Sequence, residues 1–214
     1  MKKIINLNVI GSLLLLWSFT VILIYSTNHL ILNVAFYNRS GDPLSGFSEG
    51  EQEIYGAIQK WIYISATAYL LVKLIIVSLI LYVGLFLAGH TVSFSRIFKV
   101  TIYAEYIFIL AAILKMAWFQ HVYPHGNLAN WHQTYVLSAL SLVGTAPPDW
   151  YYALQTLNVF EVVYWFLLAL GISRLVPLGF DRSLRLVVMS YLPLLFIWVA
   201  TITFCTLVMF PVTG

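Results

Sequence analysis

Four ionisable side chains lie within apolar runs that are long enough to cross a membrane. Glu105 and Lys115 share the run from residue 98 to 120, FKVTIYAEYIFILAAILKMAWFQ, while Lys73 and Glu161 lie in two other apolar runs. An ionised side chain at bilayer depth is costly, so it normally faces the protein interior and finds a partner there. We therefore expect these four residues to lie inside a helix bundle and to pair with one another.

Helical depth predicts which of these charges pair. At about 1.5 Å per residue, Lys73 and Glu105 lie roughly 18 and 20 Å from the boundary on the outer side of the membrane. By the same measure, Glu161 lies roughly 12 Å and Lys115 roughly 5 Å below that boundary. We predict a Lys73–Glu105 pair and a looser Glu161–Lys115 pair, although Lys115 could equally extend to the outer headgroups. These pairs either hold the bundle in register, or Glu105 and Glu161 form a buried ion or proton site.

Further polar side chains could line the same interior. Asn158 lies three residues before Glu161 and would share its face on a continuous helix. Tyr103, Tyr106 and Tyr164 could supply hydroxyl groups to that face. Such a polar seam is either glue between helices, at about 1 kcal/mol per hydrogen bond, or the lining of a polar path.

Three histidines, His121, His125 and His132, follow the third apolar run with the spacing H-x3-H-x6-H. Histidines four residues apart on a helix can chelate a metal. However, Pro124 and Gly126 interrupt this helix, and neither a cysteine nor a carboxylate lies nearby. We regard the three residues as weak metal candidates, favour polar histidines at the membrane surface, and predict no cofactor.

Catalytic patterns are scarce in this chain. Asp149 with the outer-loop histidines is its only acid–base combination accessible to water. The sequence contains no G-x-S-x-G nucleophile elbow, no P-loop, no glycine-rich dinucleotide turn and no zinc-protease helix. We predict that the protein is not an enzyme, and a lipid-directed enzyme using Asp149 and these histidines is the third hypothesis.

Five apolar runs can place these residues in a membrane, at residues 8–27, 61–88, 98–119, 153–173 and 185–210. Each has about the 20 residues that a helix needs to cross the hydrocarbon core. The chain is 61% hydrophobic and only 9% charged, whereas soluble domains carry about 25% charged residues. We predict an all-α polytopic membrane bundle of five transmembrane helices, forming a single domain over residues 1–214. Pro193 should kink the last helix.

Positive charges predict the orientation. Lysine and arginine are retained on the cytoplasmic side, which places the N-terminus inside and the C-terminus outside. The inner flanks then hold Lys2, Lys3, Arg96, Lys99, Arg174, Arg182 and Arg185, and the outer loops hold only Arg39 and Lys60.

The net charge of +3 is scattered along the chain, which argues against nucleic acid as a partner. The lone Cys205 cannot form an intramolecular disulfide.

The second outer loop contains the segment TYVLSALSLVG, which is apolar but too short to cross a bilayer. We predict that it forms a re-entrant or interfacial helix. Aromatic residues of the kind found at headgroup level surround it. They are Trp118, Trp131, Trp150, Tyr151 and Tyr152.

In the second half of the chain, the leucine-rich segment LSALSLVG is followed by LQTLNVFEVVYWFLLALGISRLVPLGFDRSLRLVV. These segments resemble the Yip1 family of five-span membrane proteins, and the resemblance covers residues 98–200. The matching positions are Leu154, Leu157, Asn158, Phe160 and Gly171. The resemblance implies five spans with the N-terminus inside and the C-terminus outside. Eukaryotic members act in membrane traffic through contacts with small GTPases, but this chain lacks their long cytoplasmic N-terminal region, so that role is not expected.

Two main hypotheses for function follow. The first is a small non-enzymatic subunit or scaffold of a larger membrane assembly, with membrane lipids and membrane-protein subunits as partners. The alternative is a transporter or channel component whose polar path is lined by Lys73, Glu105 and Glu161. The short, sparsely charged chain favours a bacterial inner membrane as its location.

Overall fold

The computed structural model describes residues 8–33, 36–37, 52–143, 146–147 and 150–209. Eight helices are delimited in this part of the chain, and the only β-pairing among the described residues is an isolated bridge between Ser138 and Asn158. The helices are α1 (Val9–Leu30), α2 (Gln52–Leu87), α3 (Phe94–Val122), α4 (Leu128–Gln133), α5 (Ala139–Val143), α6 (Tyr151–Thr156), α7 (Val159–Leu175) and α8 (Phe180–Met209).

Four of the described helices are long and apolar enough to cross a membrane. The apolar segments are Val9–Leu30, Lys60–Leu87, Phe94–Val122 and Phe180–Val208. They correspond to the first, second, third and last of the predicted spans, and they indicate an all-helical integral membrane protein. The last of these helices, α8, contains Pro193, whose predicted kink stays a prediction.

The predicted fourth span differs from the structure because its helix is interrupted. Helix α6 ends at Thr156, and α7 begins at Val159 and runs for 17 residues. A helix of this length extends about 25 Å, at the lower limit for crossing a bilayer. The polar residues Gln155, Thr156 and Asn158 lie at the interruption, and side-chain hydrogen bonds of Asn158 hold it.

The chain divides into two compact units, and α2 and α3 contribute residues to both. The first unit combines the chain up to Ile75 with Phe108–Thr134. Its core forms around the buried residues Ile31, Phe36 and Phe119. The remaining side chains packed against this core are Leu32, Tyr37, Met116, Leu128 and Trp131. The prediction of a single domain over residues 1–214 stays a prediction.

The second unit combines Ile76–Ile107 with the chain from Tyr135 onward. Small residues bring its helices close together. A Cβ atom added to Gly84 of α2 would collide with the Ser190 side chain of α8, and one added to Gly171 of α7 would collide with Val100 of α3. Close approach at small residues is typical of packed membrane helices, and it fixes the four helices that surround the site described next.

Candidate functional site

Asn158 organises the break between α6 and α7. Its Oδ1 atom accepts a hydrogen bond from the backbone N–H of Glu161 at 2.8 Å, which caps the start of α7. Its Nδ2 atom donates to the carbonyl oxygens of Gln155 and Thr156 at 2.8 and 3.2 Å. One side chain therefore ends α6 and begins α7, so Asn158 lies at the end of the helix and not on its face.

The α6–α7 break, formed by Leu157 and Asn158, is also held by backbone pairing. The N–H of Ala139 donates to the carbonyl of Leu157 at 2.8 Å, and the N–H of Val159 donates to the carbonyl of Leu137 at 3.0 Å. Leu137 has a φ of 57°, a left-handed conformation that costs a non-glycine residue about 1–2 kcal/mol. These bonds satisfy backbone groups that lie outside regular helix.

Glu161 is the first carboxylate of the site. It lies in the first turn of α7 and is only 6% exposed. Its Oε1 atom accepts hydrogen bonds from the Tyr191 hydroxyl of α8 at 2.8 Å and from the Trp165 indole N–H at 3.0 Å. Two donors on one oxygen hold this buried carboxylate in a fixed orientation.

Glu105 of α3 is the second carboxylate, and it is 5% exposed. The fully buried Tyr164 of α7 lies close enough to both Glu105 and Glu161 to interact with them electrostatically. The Tyr164 ring also meets Tyr191 edge-on, with the ring centroids 5.8 Å apart. We call Glu105, Glu161, Tyr164, Trp165 and Tyr191 the buried carboxylate cluster.

This arrangement is suited to moving a proton. A phenol is both a hydrogen-bond donor and an acceptor, so a tyrosine between carboxyl groups can pass a proton from one to the other. Chains of carboxyl groups are the usual proton relays of membrane proteins. The predicted polar interior thus includes Glu105, Glu161 and the buried Tyr164.

The two predicted lysines lie in the first unit, each over an aromatic ring. Lys73 Nζ lies 3.7 Å from the ring centroid of Phe108, and Lys115 Nζ lies 4.3 Å from that of Trp131. Both distances are suited to cation–π attraction. The Lys73–Glu105 and Glu161–Lys115 pairs stay predictions.

The three candidate histidines lie on different parts of the chain. His121 is in the last turn of α3, His125 is in the turn that follows, and His132 is in α4. Helix α3 ends at Val122, in line with the interruption expected from Pro124 and Gly126, so His121 and His125 do not share a helical face. No group of three or more His, Cys, Asp or Glu side chains is placed to hold a metal in the described part of the chain. Asp149, their proposed acid partner, lies outside the described residues.

Two members of the cluster were missed by sequence reasoning. Trp165 lies four residues after Glu161 in α7, a spacing that places the two on one helical face and could have identified it. Tyr191 lies 30 residues after Glu161, in the last apolar run, and no local pattern connects the two. Tyr103, one of the three predicted tyrosines, is instead exposed.

Comparisons with known proteins add no relative. No protein-family model matches this chain, and no curated protein or solved structure is detectably similar to it. The resemblance to the Yip1 family therefore stays a prediction from sequence motifs. Of those motif positions, Leu154 lies in α6, Leu157 and Asn158 form the α6–α7 break, and Phe160 and Gly171 lie in α7.

Proposed function

We propose that this protein is a transporter or channel component that moves protons through the buried carboxylate cluster. The observation that carries the proposal is the burial of Glu105, Glu161 and Tyr164 together inside an apolar helical unit. Carboxylates are costly to keep at membrane depth, and where they occur they commonly belong to ion or proton paths. Packing alone would be served as well by apolar side chains of similar size.

The relay proceeds by two linked transfers through Tyr164. A proton on the Glu161 carboxyl moves to the Tyr164 oxygen, while the original hydroxyl proton of Tyr164 moves to the Glu105 carboxylate. Tyrosine remains neutral, Glu161 becomes the anion and Glu105 becomes the acid. Rotation of the Tyr164 O–H bond resets the bridge, and Tyr191 and Trp165 stabilise the anionic form of Glu161.

A proton is favoured over a metal cation by the groups that surround Glu161. The two described contacts to its Oε1 atom are hydrogen bonds from N–H and O–H donors. A metal cation instead needs several oxygen, nitrogen or sulfur atoms that offer it a lone pair. A hydrogen-bonded carboxyl group suits proton exchange instead.

The five-span topology, with the N-terminus inside and the C-terminus outside, is part of this proposal. Helix α6, the break and α7 together supply the fourth span from Tyr151 to Leu175. The exposed arginines Arg174, Arg182 and Arg185 flank the turn between α7 and α8 and support an inner location for that turn. Lys2, Lys3 and Arg39, which also entered the charge count, lie outside the described residues. We place the protein in a bacterial inner membrane, across which a proton gradient could be used.

Proton flux into liposomes that contain the purified protein tests this function. Under an imposed membrane potential, wild-type protein should admit protons, and Glu161→Gln and Glu105→Gln should each reduce flux to that of empty liposomes. Glutamine retains an acceptor oxygen of nearly the same shape, so each variant should fold. Asp181→Asn, which neutralises an exposed carboxylate at the start of α8, should retain the wild-type flux. Equal flux through Glu161→Gln and wild type would contradict the proposal.

A second candidate function is a non-enzymatic subunit of a larger assembly. Leu142 and Val143 of α5 and Trp150 beside α6 are all exposed, and apolar side chains exposed together often mark a protein or membrane contact. On this reading, isolated protein would leave liposomes sealed to protons. Extraction from its native membrane in mild detergent would then recover stoichiometric membrane-protein partners, identified by mass spectrometry.

A further inference from the structure

Positions along helix α8 can be converted into depth in the membrane for the second unit. Arg182 and Arg185 are exposed in its first turns and mark one headgroup level. At about 1.5 Å per residue, Tyr191 lies about 9 Å along α8 from Arg185, and Trp198 lies about 20 Å from it. Both positions fall inside a hydrocarbon core about 30 Å thick.

The α6–α7 break lies between these two levels. On one side of it, Glu161 of α7 accepts a hydrogen bond from Tyr191, and on the other, the Tyr152 hydroxyl of α6 accepts one from the Trp198 indole at 2.8 Å. The non-helical backbone at Leu157 therefore lies near the middle of the bilayer. It is reached by α5 and α6, which have 5 and 6 residues and are too short to cross alone.

Backbone outside a helix is tolerated at this depth only when protein buries it or when it faces water. Within the described chain, Leu137 and Leu157, which flank the paired backbone, are each 54% exposed, so this side of the break is open to its surroundings. Polar side chains also gather at this point. They are Ser138, Ser141, Gln155, Thr156 and Asn158.

We propose that the α6–α7 break faces a water-filled inlet, which opens on the side of the membrane where α8 ends and leads protons to Glu161. This inference rests on the proposed function and specifies the route by which protons enter. Asn158 connects the two, since its amide lies at the break while its Oδ1 atom holds the backbone of Glu161. Water at the break would lie one helical turn from the cluster, and no crossing of the whole apolar core would be needed.

Cysteine labelling can test the inlet independently of transport. Because Cys205 is the only native cysteine, Cys205→Ser gives a background free of thiols. Leu157→Cys would be placed in this background, with Leu137→Cys as a second reporter of equal exposure. Val162→Cys is the matched control, because Val162 is 42% exposed on α7 about one turn past the break. A maleimide that cannot cross membranes would be added to one side of sealed vesicles of known orientation.

The reactive form of cysteine is the thiolate, which forms in water and not in lipid. Leu157→Cys should therefore react roughly tenfold or more faster than Val162→Cys, and only from the side where α8 ends. All variants should react fully after unfolding in detergent. The inlet is overturned if Leu157→Cys and Leu137→Cys react only after unfolding, which would indicate lipid or a partner protein at the break. Reaction from the opposite side would overturn the proposed direction of entry.

The labelling result and the flux result separate the two proposals. If Leu157→Cys reacts from water while Glu161→Gln leaves proton flux unchanged, the inlet stands and the proton function fails. If the reporter cysteines stay unreactive while Glu161→Gln abolishes flux, the function stands and the inlet fails. Loss of flux when Leu157→Cys is labelled, without loss in labelled Val162→Cys, would support both.

Discussion

At the scale of single residues, the cluster depends on how a buried carboxylate is held. Glu161 has two side-chain donors on one oxygen, and hydrogen bonds to a charged group contribute more than neutral ones. Tyr191 is also placed by its edge-on contact with Tyr164. Its hydroxyl and its ring therefore have separable roles, and a substitution by phenylalanine removes only the first.

Tyr191→Phe should lower the free energy of unfolding by about 1.5–3 kcal/mol, because a buried carboxylate loses one of its donors. The measurement is reversible unfolding of the purified protein in detergent micelles. Tyr82→Phe is the matched control, since Tyr82 is partly exposed and contacts Phe94 through its ring; a change within about 0.5 kcal/mol is expected there. Equal effects of the two variants would contradict the assigned role of the Tyr191 hydroxyl.

At the scale of helices, the predicted fourth span is divided into α6 and α7, which meet at the side chain of Asn158. Asn158 satisfies carbonyl groups at the end of α6 and an N–H group at the start of α7. Both sets of groups lie at helix ends, where they lack partners within their own helix. The break thus replaces helical hydrogen bonds with those of a single asparagine.

Asn158→Ala should destabilise the second unit by about 1–2 kcal/mol through loss of the cap, with a further loss from the bonds to α6. Asn158→Ser should be less damaging, because serine is also a good N-cap residue. Asn8, which caps α1 through Gly11, supplies the control Asn8→Ala. Stability in micelles and proton flux would be measured together, and only the substitutions at Asn158 should change the flux. An Asn8→Ala variant that also lost flux would argue against a special role for this break.

Hydropathy predicted four helices of spanning length in nearly the right places, because length and apolar composition suffice to identify them. It did not predict the break, because residues 153–173 were interpreted as one apolar run despite the polar residues Gln155, Thr156 and Asn158 within it. The signal available was local: Asn158 precedes Glu161 by three residues, which is the spacing of a helix N-cap with an acidic third residue. The same spacing also fits a shared face on a continuous helix, and a single sequence does not choose between them.

At the scale of the whole molecule, the cluster joins residues from three helices that are distant in sequence. Glu105, Glu161 and Tyr191 come from α3, α7 and α8. The cost of a charge at bilayer depth led us to expect both glutamates in the protein interior, and both side chains are buried. Depth counting addressed only which charges pair. It could not identify Tyr191, because helix depth along the chain does not specify which faces of different helices meet. The faces that meet depend on close packing at Gly84 and Gly171. The depth of a residue in the membrane carries no information about this packing.

The central proposal, that Glu161 takes up and releases a proton within the cluster, is tested most directly by infrared difference spectroscopy. The carbonyl stretch of protonated carboxyl groups would be recorded as pH is varied, over the range in which the protein stays folded. Subtracting the Glu161→Gln spectra from the wild-type spectra isolates Glu161, and Asp181→Asn serves as the control. We predict a titrating carboxyl band that is absent in Glu161→Gln and altered in Tyr164→Phe. A carboxyl difference spectrum unchanged by Glu161→Gln would contradict proton exchange at this residue.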